Sequence, residues 1–209
     1  MSQPELRDRI RFGVVFGGYF DLKRSLKFAL TGAYDGEGYQ GKMEVRKVKD
    51  RWDFLMGNIE FLGRDSSGGQ FRKLIQRKID DINFNISAAA SHRSVSEKHV
   101  LEFVGNEDPL LYDSLFQLIP LSFKSWIDTL SVLHYADSIQ AQLLIGHSDR
   151  DRVVPFTESI ALSHHLPHAP EPVVAITGLF THVNVRIEWD SIPKIFSETI
   201  PGFYQLWKL

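Results

Sequence analysis

Ala141-Gln-Leu-Leu-Ile-Gly-His-Ser-Asp-Arg-Asp-Arg-Val-Val-Pro155 is an apolar run that breaks into a charged turn. Leu143, Leu144 and Ile145 have the composition of a buried strand. The turn carries His147, Asp149, Arg150 and Asp151, and Val153-Val154-Pro155 leads into a helical pattern. Loops beyond the carboxyl ends of parallel strands are where α/β folds place their chemistry. This stretch therefore predicts both a parallel sheet and a functional edge.

Working outward, two more strands fit the same sheet. Arg9 to Gly18 (RIRFGVVFGG) holds a compact apolar stretch that turns at a glycine pair, and Val173 to Thr177 is a second apolar run. Asp21 is a candidate N-cap for a helix through Leu22, Leu26, Phe28 and Leu30, ending before Gly32. The glycine-rich residues 32 to 41 read as loop.

Between them the chain is helical. Trp52, Leu55, Met56, Ile59 and Leu62 recur at helical steps, as do Ile75, Ile79, Ile82 and Ile86 after the linker GRDSSGG at 63–69. Shorter helices fit Glu97 to Phe103, Pro109 to Leu118, Ser122 to Leu133 and Phe156 to His165, and a terminal helical stretch starts near Ser191. Strand, helical block, strand, helix, strand predicts a parallel α/β sheet of about three strands with crossover helices. The core would comprise residues 1–20 and 139–209, and the helical insertion residues 21–138.

Composition narrows the function classes. The 209 residues carry 24 basic and 26 acidic side chains, so a nucleic-acid surface is not expected. With no cysteine there is no disulfide, thiolate metal site or cysteine nucleophile. No apolar run reaches the roughly 18 residues of a membrane span. The start, MSQPELRDRIRF, is charged where a signal peptide would be apolar. The expectation is a cytoplasmic chain with no membrane partner.

Asp151 and His182 each follow a strand pattern, 31 residues apart. Two such loops can lie side by side at one sheet edge, where a carboxylate fixes the tautomer of an imidazole and stabilises its protonated form. The bland readings are a turn aspartate capping the helix that follows, and a loop histidine with local hydrogen bonds. Asp149 competes with Asp151, but Asp151 has the better spacing to Val154-Pro155. His164, His165 and His168 do not make a metal site, because Pro167 breaks the helix between them and no carboxylate completes the set. Gly17-Gly18 lacks the spacing and the lysine of a phosphate loop. Trp52, Phe54, Phe61 and Trp126 sit at helical spacing and read as core, with a few as candidates to line an apolar pocket.

The run from His147 to Pro155 resembles the α/β-hydrolase fold family, in which the acid-bearing strand commonly ends His-Gly-x-x-Asp-x-x-Val-Pro. Ser148 stands where that family usually has glycine. Arg11 to Leu22 resembles the family's strand after the nucleophile-bearing unit, with residues 21 to about 138 as a helical cap. The resemblance implies Asp151 as acid, His182 as general base, a small-molecule acyl substrate and no metal or organic cofactor. The family's G-x-S-x-G elbow is absent from this sequence. Gly146-His147-Ser148 is the nearest match, but a nucleophile at Ser148 would leave Asp151 without a role. Ser66 and Ser67 follow a helical pattern and read as linker.

The expectation is thus a partial α/β-hydrolase fold, its nucleophile and early strands upstream of residue 1, inactive alone. The alternative is a non-catalytic pseudo-hydrolase that serves as a binding module. In either case the strand near residues 11–16 should present an open apolar edge through which copies could self-associate.

Overall fold

The computed structural model of the chain describes residues 9–44, 48–62, 69–178, 180–181 and 184–185. The three expected strands form one parallel sheet: β1 (Phe12–Phe16), β4 (Gln142–Ser148) and β5 (Val173–Thr177), with β4 in the centre. Phe12 is in register with Gln142, and Ser148 with Thr177. On one face Val15, Leu143 and Ile145 pack with Ala161 and Leu162 of the crossover helix α8 (Thr157–His164). On the other face Phe16 lies over Gly146, where an added Cβ would come within 2.6 Å of the ring. The glycine in the opening stretch is therefore a packing requirement.

Helix α1 (Leu22–Thr31) begins as its N-cap predicts, the Asp21 carboxylate accepting from the N–H groups of Lys23 and Arg24. It ends at Gly32, whose φ of 75° is the left-handed conformation that glycine adopts at no steric cost. The glycine-rich segment that follows is not loop. It is an antiparallel hairpin of β2 (Ala33–Gly36) and β3 (Tyr39–Lys42), turning at Glu37 and Gly38 with φ of 56° and 80°. Two positive φ values in a two-residue connection match the twist of the flanking strands. Gly41 faces Tyr34 across the hairpin, and a Cβ there would meet the Tyr34 hydroxyl at 2.5 Å. Glycine here makes room for a ring, a role that reading it as punctuation misses.

The helical block comprises α2 (Val48–Gly57), α3 (Gly69–Asp80), α4 (Ile86–Ala89), α5 (Val95–Gly105), α6 (Tyr112–Leu118) and α7 (Leu121–Leu130). The isoleucine series from 75 to 86 does not form one helix. Asp81 and Asn83 turn the chain, Asn85 caps α4, and Ile82 is 38% exposed. Polar turn residues break the helix despite the apolar period. The capping box of Ser94 and Glu97 starts α5.

Two separate apolar clusters result. One joins buried residues from Leu26 to Ile127, with Trp52, Phe71, Phe103 and Phe123 among its largest side chains. The other joins Phe20, Ala136, Ile139 and the residues between the sheet and α8. The chain enters and leaves the helical block at a neck. There the Leu133 N–H donates to the Phe20 carbonyl (3.0 Å), and the Leu22 N–H to Ser131 Oγ (3.0 Å).

Candidate active site

Ser148 and Thr177 end neighbouring strands in register, and the Asp149 N–H donates to the Thr177 carbonyl at 3.2 Å. The turn after β4 and the segment after β5 therefore leave the sheet at one edge. Beyond β5, β6 (Phe180–Thr181) contacts β4 and pairs antiparallel with β7 (Asn184–Val185). His182 lies outside the described residues, as do Ser66 and Ser67.

Asp151 is 1% exposed. Its Oδ1 accepts from the N–H groups of Val153 (2.7 Å) and Val154 (3.1 Å), which fixes the carboxylate plane. Oδ2 lies 3.5 Å from Nε2 of His147. The bland reading of Asp151 as a turn cap thus describes one of its oxygens. Asp149 is half-buried with its carboxylate beside Gly178, where an added Cβ would sit 3.3 Å from Oδ1. Ser148 is buried, and its Oγ accepts from the Arg150 N–H at 3.1 Å.

His147 does more than end the strand, a role the sequence reading did not assign. Nε2 faces the Val154 carbonyl at 3.0 Å, so in the neutral ring that nitrogen carries the proton. Nδ1 then accepts from the Ser159 hydroxyl at 2.6 Å. One buried imidazole ties the Asp151 turn to α8. The signal was present as a four-residue spacing to Asp151.

Glu158, also unassigned from sequence, is 1% exposed. Its Oε2 accepts from the N–H groups of Phe20 (3.0 Å) and Asp21 (2.7 Å), and Oε1 lies 2.9 Å from Arg24 Nε. Burial pushes its carboxyl above the ordinary range, although these donors and the Arg24 charge pull the other way. The carboxylate fastens the neck of the helical block to the helix that follows the Asp151 turn. Nearby, the Tyr112 hydroxyl donates to the Lys23 carbonyl at 2.7 Å, and burial pushes that phenol up.

A cleft of about 560 Å³ opens between the helical block and the Asp151 turn. Leu26, Leu30, Phe54 and Val153 give it apolar walls, and Asp53 and Arg152 add charge. Phe54 was read from its spacing as core; it packs on Trp126 (5.9 Å between rings) and also lines this cleft. Arg51 closes the cleft toward the core. Its guanidinium donates to the Leu30 carbonyl at 3.0 Å, and burial draws its pKa below the ordinary value.

Among the described residues no three His, Asp or Glu side chains converge as a metal site. His164 is engaged with Glu37 at 2.6 Å, and His165 Nδ1 with the Ala161 carbonyl at 2.8 Å. No helix among the described residues is long and apolar enough to cross a membrane. Comparison of the chain with models of protein families and with curated proteins finds no match in either.

Proposed function

We propose that this chain is the acid- and base-bearing portion of a serine hydrolase with a partial α/β-hydrolase fold. It would act on an ester, amide or other acyl bond. The observation that carries the reading is the Asp151 carboxylate, buried and aligned by two backbone N–H groups at the edge where the segment leading to His182 also leaves the sheet. Catalytic acids are held in this way: one oxygen is fixed by the main chain so that the other can orient an imidazole. The cleft beside that turn supports an acyl substrate with an apolar portion, within the size range of small-molecule sites.

In this reading His182 takes the proton of a serine hydroxyl as its oxygen attacks the acyl carbon. It then returns the proton to the leaving group, and Asp151 stabilises the imidazolium between the two events. The nucleophile is not among these residues, since no G-x-S-x-G occurs in the sequence. The reaction calls for no metal or organic cofactor.

Two measurements test this. The purified 209-residue chain should not turn over p-nitrophenyl esters; turnover that His182→Ala abolishes would overturn the assignment of the nucleophile elsewhere. In proton NMR titrations, Asp151→Asn should weaken the proton affinity of His182 by about tenfold or more, because an imidazolium loses its carboxylate partner. A His182 titration that Asp151→Asn leaves unmoved would sink the pairing itself.

A further inference from the structure

We propose that a second pocket, in the helical block and unused by the chemistry above, binds a small organic carboxylate with one oxygen on the Trp52 indole N–H. Trp52 is 2% exposed, and its Nε1–H finds no hydrogen-bond partner among the described residues. A buried indole N–H ordinarily has one, because an unpaired donor forfeits the hydrogen bond it made to water.

The ring edge that carries this N–H is fixed by a neighbour. Cζ2 of Trp52 lies 4.0 Å from the place that a Cβ on Gly105 would take. Nε1 and Cζ2 are bonded to the same atom, Cε2, and their hydrogens leave along one edge of the indole. That edge therefore faces the C-terminal end of α5. There a pocket of about 410 Å³ opens between Trp52, Gly105 and the turn at 83–87. Its volume is that of a small-molecule site.

The lining selects an anion. Lys78 Nζ donates to the carbonyls of Ile82 and Phe84 and sits 5.9 Å from the centre of the Trp52 ring. An ammonium has three protons, so one is left for a ligand. Arg51 reaches the Asn106 carbonyl and Glu107 only at 3.5 Å each, longer than a well-made hydrogen bond. The acceptors, by contrast, are engaged. Glu107 faces Arg51, and Asn85 Oδ1 accepts from the Ala88 N–H at 3.0 Å. Two cations and one carboxylate line the pocket, so a cationic ligand would meet an excess of like charge.

Size and walls favour a carboxylate over an inorganic anion. The pocket is larger than a bare oxyanion needs, and Phe84, Ile86 and Leu101 offer apolar contact to an organic body. The two carboxylate oxygens suit the indole N–H and the third ammonium proton. The site does not depend on the hydrolase reading, although Arg51 lines both this pocket and the cleft.

The indole N–H signals of the four tryptophans give a direct readout by proton–nitrogen NMR. Benzoate, titrated from about 0.1 mM to about 20 mM, should move the Trp52 signal downfield and saturate with a Kd of about 1 mM. The other three signals should stay in place. Benzylamine, the same ring with a positive charge, should leave Trp52 unmoved. Gly105→Leu should weaken benzoate by about tenfold or more, because its side chain reaches across the N–H edge. At a helix end it brings no backbone strain, so the thermal melt should be kept. Lys78→Gln should weaken benzoate to a similar degree, since the amide keeps a hydrogen bond to the turn but not the charge. A Trp52 signal that benzoate leaves unmoved, or that benzylamine moves equally, overturns the proposal. So does a benzoate affinity that both substitutions leave unchanged, and inorganic phosphate binding more tightly than benzoate overturns the choice of carboxylate.

Discussion

Replacing Glu158 by alanine should lower the unfolding free energy by about 3–4 kcal/mol, measured by urea denaturation at neutral pH. Two backbone N–H groups, of Phe20 and Asp21, lose their acceptor, and at about 1–3 kcal/mol each for an unsatisfied buried donor they account for most of the loss. The Arg24 pair adds little, because that guanidinium is about a third exposed and can turn to water. The carboxylate also sets a pH dependence. Burial raises its folded pKa above the unfolded value, so the folded chain holds the proton more tightly. Its contribution to stability is then full below the ordinary glutamate pKa and declines as pH rises through the raised value. Glu158→Gln has no such proton, so the stability difference between wild type and this variant should shrink over that window. A pH-independent difference would show that burial does not govern the group.

Asp151→Ala should cost about 3 kcal/mol, and Asp151→Asn about 1 kcal/mol or less. Alanine strands the N–H groups of Val153 and Val154, whereas the asparagine oxygen can still accept both. The pair of variants separates the turn-holding role of this side chain from the proposed role of controlling an imidazole. Oδ1 holds the turn, so stability should follow the acceptor. Control of an imidazole needs the charge, so the His182 titration should respond to both substitutions. Equal stability loss in the two variants, measured by denaturation, would mean that the charge and not the acceptor holds the turn.

The sheet was legible because its three strands are apolar runs ended by glycine or by charged turns. Val173 to Thr177 coincides with β5 to the residue. The hairpin at Ala33–Lys42 was not legible, because its glycines serve a positive φ at Gly38 and ring clearance at Gly41, and neither leaves an apolar alternation to read. The isoleucine series was misread as continuous because the period survives a turn that Asp81 and Asn85 impose locally. Around the site, Asp151 stood out through its spacing to Val154-Pro155. Glu158 did not, since its partners Phe20 and Asp21 are far away in sequence and only folding brings them together. His147 was quoted within the motif, but its tie to Ser159 depends on how α8 packs.

The neck of the helical block bears on how the chain folds. Phe12 and Gln142 are paired yet 130 positions apart, and closing so long a loop in an unfolded chain carries an entropy cost that rises with its length. Once the block has its own core, Phe20–Leu22 and Ser131–Leu133 already lie together. The search that remains for β1 and β4 is then that of a loop of about 17 residues. A contact that is distant along the sequence becomes local in time, and the sheet's assembly is tied to prior closure of the insertion.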